Sequence, residues 1–266
     1  MNTDRLPDGL PADPVTPASS FVALLRTSQL EPRWEIPQGD TTQLGTLEGT
    51  TVLAVRYEDG VAMVGDRQAT EGHLVAHRRV QKVFPADNFS AVAISGTAGV
   101  ALELIRLFQT ELEHYEKLEG ARLSLDGKAN HLAAMVRRQL PMAFQGLGVV
   151  PLFCGYDERE AVGRLYSFDV VGGRYEEQDF AAAGSGGREA KSHLRSAFRP
   201  GLSVEDGLRL ALEALVVAAE EDTSTGGPDL RREIFPNVAT VSGDGYREIS
   251  EERVAELARS VLGETA

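Results

Sequence analysis

Cysteine is nearly absent from this chain of 266 residues. The single one, Cys154, has no internal partner for a disulfide. It lies in the apolar run Val149-Val150-Pro151-Leu152-Phe153-Cys154-Gly155, where a buried, inert thiol is expected rather than a nucleophile. A reducing, cytoplasmic setting fits that usage. Long hydrophobic runs are missing too. No apolar stretch reaches the roughly 18 residues of a membrane span, and the N-terminus lacks the charged segment followed by an apolar one that marks a secretory signal, so neither a bilayer nor export is expected. Positive charge is in deficit: 27 Lys and Arg stand against 40 Asp and Glu, for a net charge of −13 and an isoelectric point near 4.9, which argues against nucleic acid or an anionic membrane as a partner. No metal motif is complete. His73 and His77 stand four apart, but no Glu follows the first and no third ligand is evident, so surface histidines are the better reading. A dinucleotide fingerprint is lacking as well, because Gly184-Ser185-Gly186-Gly187 is followed by Glu189 where a small residue is required.

What is present is enough apolar content, 42%, to build a substantial core. It is unevenly distributed. Six of the twelve prolines fall within residues 1–49, which are expected to be extended or disordered apart from one or two amphipathic turns over Ser20–Arg26, capped by Ser20. On composition alone this segment is a flexible tail.

The chain changes character at Gly49-Thr50-Thr51. Val52-Leu53-Ala54-Val55, the turn Glu58-Asp59-Gly60 and Val61-Ala62-Met63-Val64 read as a β-hairpin, and the lack of polar alternation predicts strands covered on both faces. Such a hairpin returns Asp66, at the end of its second strand, to the start of the first, beside Thr50 and Thr51. A threonine hydroxyl keeps its proton at physiological pH and needs a base. Its own α-amine, with an unperturbed pKa of roughly 7.7–8.0, can serve, but only if Thr50 is the first residue of the mature chain. The expectation is a cut between Gly49 and Thr50. Lys82, flanked by Val80, Val83 and Phe84, needs an anion to stay charged among apolar neighbours, and Asp66 is the candidate.

Gly49-Thr50-Thr51-Val52, Gly65-Asp66-Arg67, Lys82-Val83, Ser95-Gly96-Thr97-Ala98, Gly184-Ser185-Gly186 and Asp222-Thr223-Ser224-Thr225-Gly226-Gly227 together resemble the proteasome β-subunit, a threonine-type N-terminal nucleophile hydrolase. The stretch Glu111–Gly120 and Gly226-Gly227-Pro228-Asp229 are similar to its actinobacterial form. The resemblance runs from Gly49 almost to the C-terminus, in family order and near-family spacing. It implies a propeptide over residues 1–49, removed by autocatalytic cleavage, and a catalytic domain over residues 50–266.

Further along, Phe89–Ile94 reads as a strand opening at Ser95–Gly99 into a helix with a core stripe of Ala101, Ile105, Phe108, Leu112 and Tyr115. A second helix is predicted from Leu125 to Leu140, stopped by Pro141. Strands are predicted at Val149–Gly155, Gly163–Val171 and Gly173–Ala183, then a helix near Arg188–Phe198. Ser203 caps another helix with Val204, Leu208, Leu212 and Leu215 on one face. A strand near Val238–Val241 and a helix over Glu251–Leu262 close the chain. This order fits an α+β, four-layer αββα sandwich of two antiparallel sheets flanked by helices.

For the site, Gly96 at a strand-to-helix turn offers an N–H for developing negative charge, although any such turn can use glycine for geometry alone. Ser185 can be a plain helix cap, and the Thr223–Asp229 loop plain turn chemistry. The resemblance implies more: Ser185 beside the Thr50 amine, Asp222 and Thr225 supporting both, Thr70 bonding substrate backbone, and Ala69, Val80, Ile94 and Ala98 walling an apolar P1 pocket. Gln68 stands where the family often has Arg, and Thr225 where Ser is usual. By resemblance no cofactor or metal is needed. The partners implied are α-subunits, other β-subunits in a heptameric ring with two β rings stacked between α rings, a ring-shaped ATPase, and pupylated substrates, proteins tagged with a small ubiquitin-like modifier. Two rival classes are a non-catalytic ring subunit, which would normally lose Thr50, Asp66 or Lys82, and a small-molecule amidase.

Overall fold

The computed structural model describes residues 47–71 and 74–263, the first two as backbone only. Most of the expected leader, its Ser20–Arg26 turns and His73 therefore lie outside the described residues.

The hairpin forms as expected. β1 (Leu47–Glu48) precedes β2 (Thr51–Tyr57) and β3 (Gly60–Gly65), which pair antiparallel from Val52 opposite Gly65 to Tyr57 opposite Gly60. Nearly every residue of β2 and β3 is buried, because the two faces meet different layers. Val52, Ala54, Val61 and Met63 pack with Ala91, Ala93, Leu152, Cys154 and Leu165 of a second sheet. Leu53, Val55, Ala62 and Val64 pack on helices. A fully buried Val or Leu contributes on the order of 1.5–3 kcal/mol, so two such faces hold the hairpin, and hence its open end at Thr51 and Asp66, in one register.

β4 (Ala69–Glu71) and β5 (Leu74–His77) form a small sheet with β1, in the order β1-β4-β5. β6 (Val83–Asp87) and β7 (Ser90–Gly96) follow, then α1 (Ala98–Glu119), α2 (Leu125–Arg138) and the short α3 (Leu140–Ala143). After β8 (Val149–Asp157), β9 (Val162–Phe168), β10 (Arg174–Glu177) and β11 (Phe180–Gly184) come α4 (Gly187–Ala197) and α5 (Val204–Glu221). β12 (Asn237–Ser242), β13 (Gly245–Glu248) and α6 (Glu251–Val261) complete the fold. The two large sheets, β11-β2-β3-β12-β13 and β10-β9-β8-β7-β6, are antiparallel throughout. α4, α5 and α6 cover the outer face of the first through Leu194, Leu212 and Leu257, and α1 and α2 cover the second through Phe108 and Leu132. This is the expected four-layer αββα arrangement.

Several local expectations need correction. Tyr115 is 39% exposed, and Leu104, 1% exposed, takes its place in the stripe, because α1 runs out past the sheet and residues 113–119 are all solvated. Pro141 does not stop α2. That helix ends at Arg138, and the proline occupies the first turn of α3, where its missing N–H costs nothing. The predicted strand Gly173–Ala183 is two strands belonging to different sheets: β10 edges the second, β11 edges the first, and the chain crosses between them at Gln178-Asp179. The predicted strand to Val171 ends at Phe168, where the Asp169 carboxylate accepts the Val171 and Gly173 N–H groups and forms the turn. Val204, the first helical residue of α5, is 45% exposed, while Leu208, Leu212 and Leu215 face the core. Cys154 is fully buried, and burial pushes its thiol up to about 12, consistent with an inert side chain.

Candidate active site

The open end of the hairpin is tied by two hydrogen bonds, one to the Asp66 side chain and one between backbones. Thr51 N–H donates to Asp66 Oδ1 at 2.8 Å and Asp66 N–H donates to Thr51 O at 3.0 Å. Asp66 is fully buried and receives four donors: Thr51 N–H and Lys82 Nζ on Oδ1, Gln68 N–H and Gly226 N–H on Oδ2. A carboxylate, with two oxygens and no proton of its own, suits that set. Lys82 sits just before β6, its N–H held by Asn237 Oδ1 at 3.0 Å. Its ammonium, 2% exposed, faces three acceptors: Asp66 Oδ1 at 2.5 Å, Gln68 O at 2.5 Å and Gly49 O at 3.5 Å. Burial is the larger influence on both partners. It pushes the Asp66 carboxyl up and the Lys82 ammonium down from their ordinary values, and their mutual attraction opposes each shift. The result is a cation, in a dry setting, aimed at the carbonyl of the Gly49–Thr50 peptide.

Gly49 fits its place only as glycine. Its φ is +83°, and a Cβ would lie 2.2 Å from Thr70 Oγ1 and 2.8 Å from Ser224 Cβ. Immediately ahead of it, β1 pairs antiparallel with β4, Glu48 opposite Thr70 and Leu47 opposite Glu71. Thr50, 8% exposed, has its carbonyl bound by Ser185 N–H at 3.0 Å, in the β11–α4 turn. Gly184 in that turn, at φ +99°, approaches so closely that a Cβ would sit 1.6 Å from Thr50 O.

Behind the turn lies a second polar group. Thr225 Oγ1 donates to Asp222 Oδ2 at 2.6 Å, and Ser224 N–H donates to Asp222 Oδ1 at 3.1 Å. Burial raises the Asp222 carboxyl, but hydrogen bonds from the Ser185 and Thr225 hydroxyls and from Ser224 N–H outweigh it and hold the group below its ordinary value. Thr51 joins this group to the first: its hydroxyl is 2.6 Å from Thr225 Oγ1 and accepts Gly186 N–H at 2.9 Å.

Gly96 ends β7 at φ +104°. Ile94 N–H donates to Lys82 O and Thr97 N–H to Gly148 O, so strand alternation turns the Gly96 N–H to the β6 side. There the chain preceding Lys82 has turned away to Arg67, whose carbonyl takes Val80 N–H at 3.0 Å. Gly96, Thr50, Gly49 and Ser185 share the wall of one cavity of about 460 Å³, which also reaches Lys191.

The structure thus brings together Gly49, Thr50, Asp66, Lys82, Gly96, Ser185, Asp222 and Thr225, with Thr70 against Gly49. The four residues expected to wall P1 are not on that cavity. Ala69 and Ile94 are each 3% exposed, Val80 and Ala98 are half-buried, and all four lie apart from its lining. Sequence reasoning missed Thr51 and Asn237 as parts of the site. Asn237 was visible as a polar residue opening an apolar strand, whereas Thr51 was overshadowed by its neighbour. Gln68, where a second cation was expected to be lost, contributes its backbone at both ends, and its side chain ties to Thr223 O at 2.9 Å.

Comparison with known proteins agrees over the whole span. Residues 46–229 match the family model described as proteasome subunit. The chain is 50% identical over 244 residues to a protein named proteasome subunit beta from Acidimicrobium ferrooxidans, covering 91% of this chain and 88% of that one. It is 47% identical over 262 residues to the protein of the same name from Acidothermus cellulolyticus, covering 97% and 90%.

Proposed function

This chain belongs to the proteasome subunit family, and from that premise we propose that it is a catalytic β-subunit of a core proteasome, a threonine endopeptidase acting on unfolded proteins fed into its chamber. The observation that carries the reading is the buried Lys82–Asp66 pair directed at the Gly49–Thr50 peptide. Residues 1–49 are then a propeptide that keeps the Thr50 nitrogen an amide, without basicity, until cleavage.

Processing begins when Thr50 Oγ attacks the Gly49 carbonyl. The amide C–N bond breaks as an ester forms, and water hydrolyses the ester, releasing the leader and leaving a free amine on Thr50. Lys82 lowers the cost of the alkoxide in this step. The same parts then cut substrate: the amine takes the Thr50 hydroxyl proton, directly or through a water, and returns it to the leaving nitrogen, and water resolves the acyl-enzyme. Gly96 N–H receives the oxyanion, an interaction whose loss costs about 2.7–4 kcal/mol in a well-studied protease. Ser185, Asp222 and Thr225 support the amine. The pairing of β1 with β4 favours Thr70 as the backbone partner of bound substrate, since the leader strand is itself a peptide ending at a scissile bond.

Intact mass tests the processing directly: chains from the active particle are expected to begin at Thr50, and an active particle retaining residues 1–49 would overturn the reading. We place P1 outside the 460 Å³ cavity, on the Thr70 side of Gly49, with Ala69, Val80, Ile94 and Ala98 as its uncharged walls, so a fluorogenic peptide with Leu or Tyr at P1 is expected to be cleaved faster than one with Asp. Faster cleavage after Asp would refute the assignment of those four residues. The proposed setting is the cytoplasm, in β rings stacked between α rings, with a ring-shaped ATPase delivering pupylated proteins. Among the described residues no helix is long and apolar enough to cross a membrane.

A further inference from the structure

The hydroxyl of Thr51 is fully buried and lies between the two polar groups of the site, and its hydrogen bonds admit one direction only. Gly186 N–H, which can only donate, fills an acceptor position on Thr51 Oγ1 at 2.9 Å. Thr225 Oγ1 gives its single proton to the Asp222 carboxylate at 2.6 Å. The 2.6 Å contact between the two hydroxyls is therefore a donation from Thr51 to Thr225. The chain runs from Gly186 N–H through Thr51 and Thr225 to Asp222 without a reversible link. Ser185 also spends its proton on Asp222.

We infer that Thr51 is a positioning residue for the general base: by donating to Thr225 it holds the Thr225 hydroxyl, as Asp222 holds that of Ser185, to accept from, rather than donate to, the Thr50 amine. The inference rests on the proposed role of Thr50. With Ser185 and Thr225 presenting only lone pairs, the amine turns its N–H bonds toward them and keeps its own lone pair for the Thr50 hydroxyl proton. Without the Thr51 hydroxyl, Thr225 loses the bond that opposes its rotation. It is then free to turn its proton onto the amine lone pair, where it competes with the reaction. No atom of Thr51 touches the reacting carbonyl; it acts through Thr225. The charged groups around the amine are Asp66 at the end of β3, Lys82 before β6, Asp222 after α5 and Lys191 of α4 across the cavity, and none of them contacts the Thr51 hydroxyl.

Thr51→Val keeps the β-branched shape and removes the hydroxyl, and Thr51→Ser keeps the hydroxyl. Both are made in the full-length chain, purified as assembled particles and normalised by intact mass to chains beginning at Thr50. Thr51→Val is expected to lower kcat on an apolar-P1 fluorogenic peptide about tenfold with KM unchanged. The acid limb of its pH–rate profile should move to lower pH, because donation to the lone pair favours the neutral amine. Thr51→Ser is expected to restore both. Wild-type kcat and profile in Thr51→Val overturn the inference, as does equal impairment of Thr51→Ser. Should Thr51→Val and Thr51→Ala both fail to yield processed particles while Thr51→Ser does, the hydroxyl is a folding element and the inference falls as well. Failure of the underlying reading is separable, since it shows as activity in a Thr50→Ala particle whatever residue 51 is.

Discussion

A Thr50→Ala chain is expected to keep residues 1–49 and to hydrolyse no peptide above background. On the proposed mechanism one substitution removes two functions, because the same residue supplies the attacking oxygen for its own release and for substrate. Alanine leaves Lys82, Asp66 and the Gly96 N–H in place. Their combined electrostatic stabilisation then has no nucleophile to serve. In a serine protease, loss of the nucleophile alone costs on the order of 10⁶ in kcat, and a comparable fall is expected here. Retained leader could itself block the site, since β1 lies on β4 where substrate is proposed to lie. A second preparation removes that ambiguity: residues 1–49 are replaced by a cleavable tag that leaves residue 50 first. The Thr50→Ala chain released from its tag should remain inactive, and Thr50 so exposed should be active without self-processing. Peptide turnover by the tag-released Thr50→Ala protein would disprove the assignment.

Asp66→Asn is expected to cost both folding and catalysis. The carboxylate accepts four donors on two oxygens, and the amide replaces one oxygen with an NH₂ that can accept none of them. Either Thr51 N–H and Lys82 Nζ, or Gln68 N–H and Gly226 N–H, are left facing another donor. Lys82 also loses its anionic partner while remaining 2% exposed. Breaking one side of a buried ion pair costs about 3–5 kcal/mol, enough to consume much of the stability of an ordinary domain. With its counter-charge gone, the lysine is driven further toward its neutral form and no longer stabilises the alkoxide. Urea unfolding should show the loss of stability, and peptide hydrolysis normalised to folded chain should fall by about 10²–10³, the scale associated with removing an electrostatic stabiliser from a site. A folded, fully active Asp66→Asn protein would show that the pair is incidental.

Legibility in the sequence varied with how local the cause was. The β2–β3 hairpin was readable because an Asp-Gly turn between two apolar runs sets its register without help from the rest of the chain. The amphipathic helices were readable for the same reason, but not their limits. Tyr115 continues the periodicity of α1, and only the reach of the sheet decides that Leu104 is buried and Tyr115 is not. The run Gly173–Ala183 looked like one strand because no glycine or proline interrupts residues 174–183. What separates them is membership in two sheets, a property of the sandwich edge rather than of the residues.

The amino-acid sequence by itself determined the family and the Asp66–Lys82 pairing, since a lysine among apolar neighbours requires an anion and the hairpin returns one to the right end. Tertiary structure alone decided how Thr51 meets Thr225, 174 positions away, and how the Ser185 turn closes on Thr50. Those contacts follow from the register of β11 on β2, where Gly184 lies opposite Thr51. Register between strands so distant in the chain is set by packing both sheet faces at once, and no local pattern of residues encodes it.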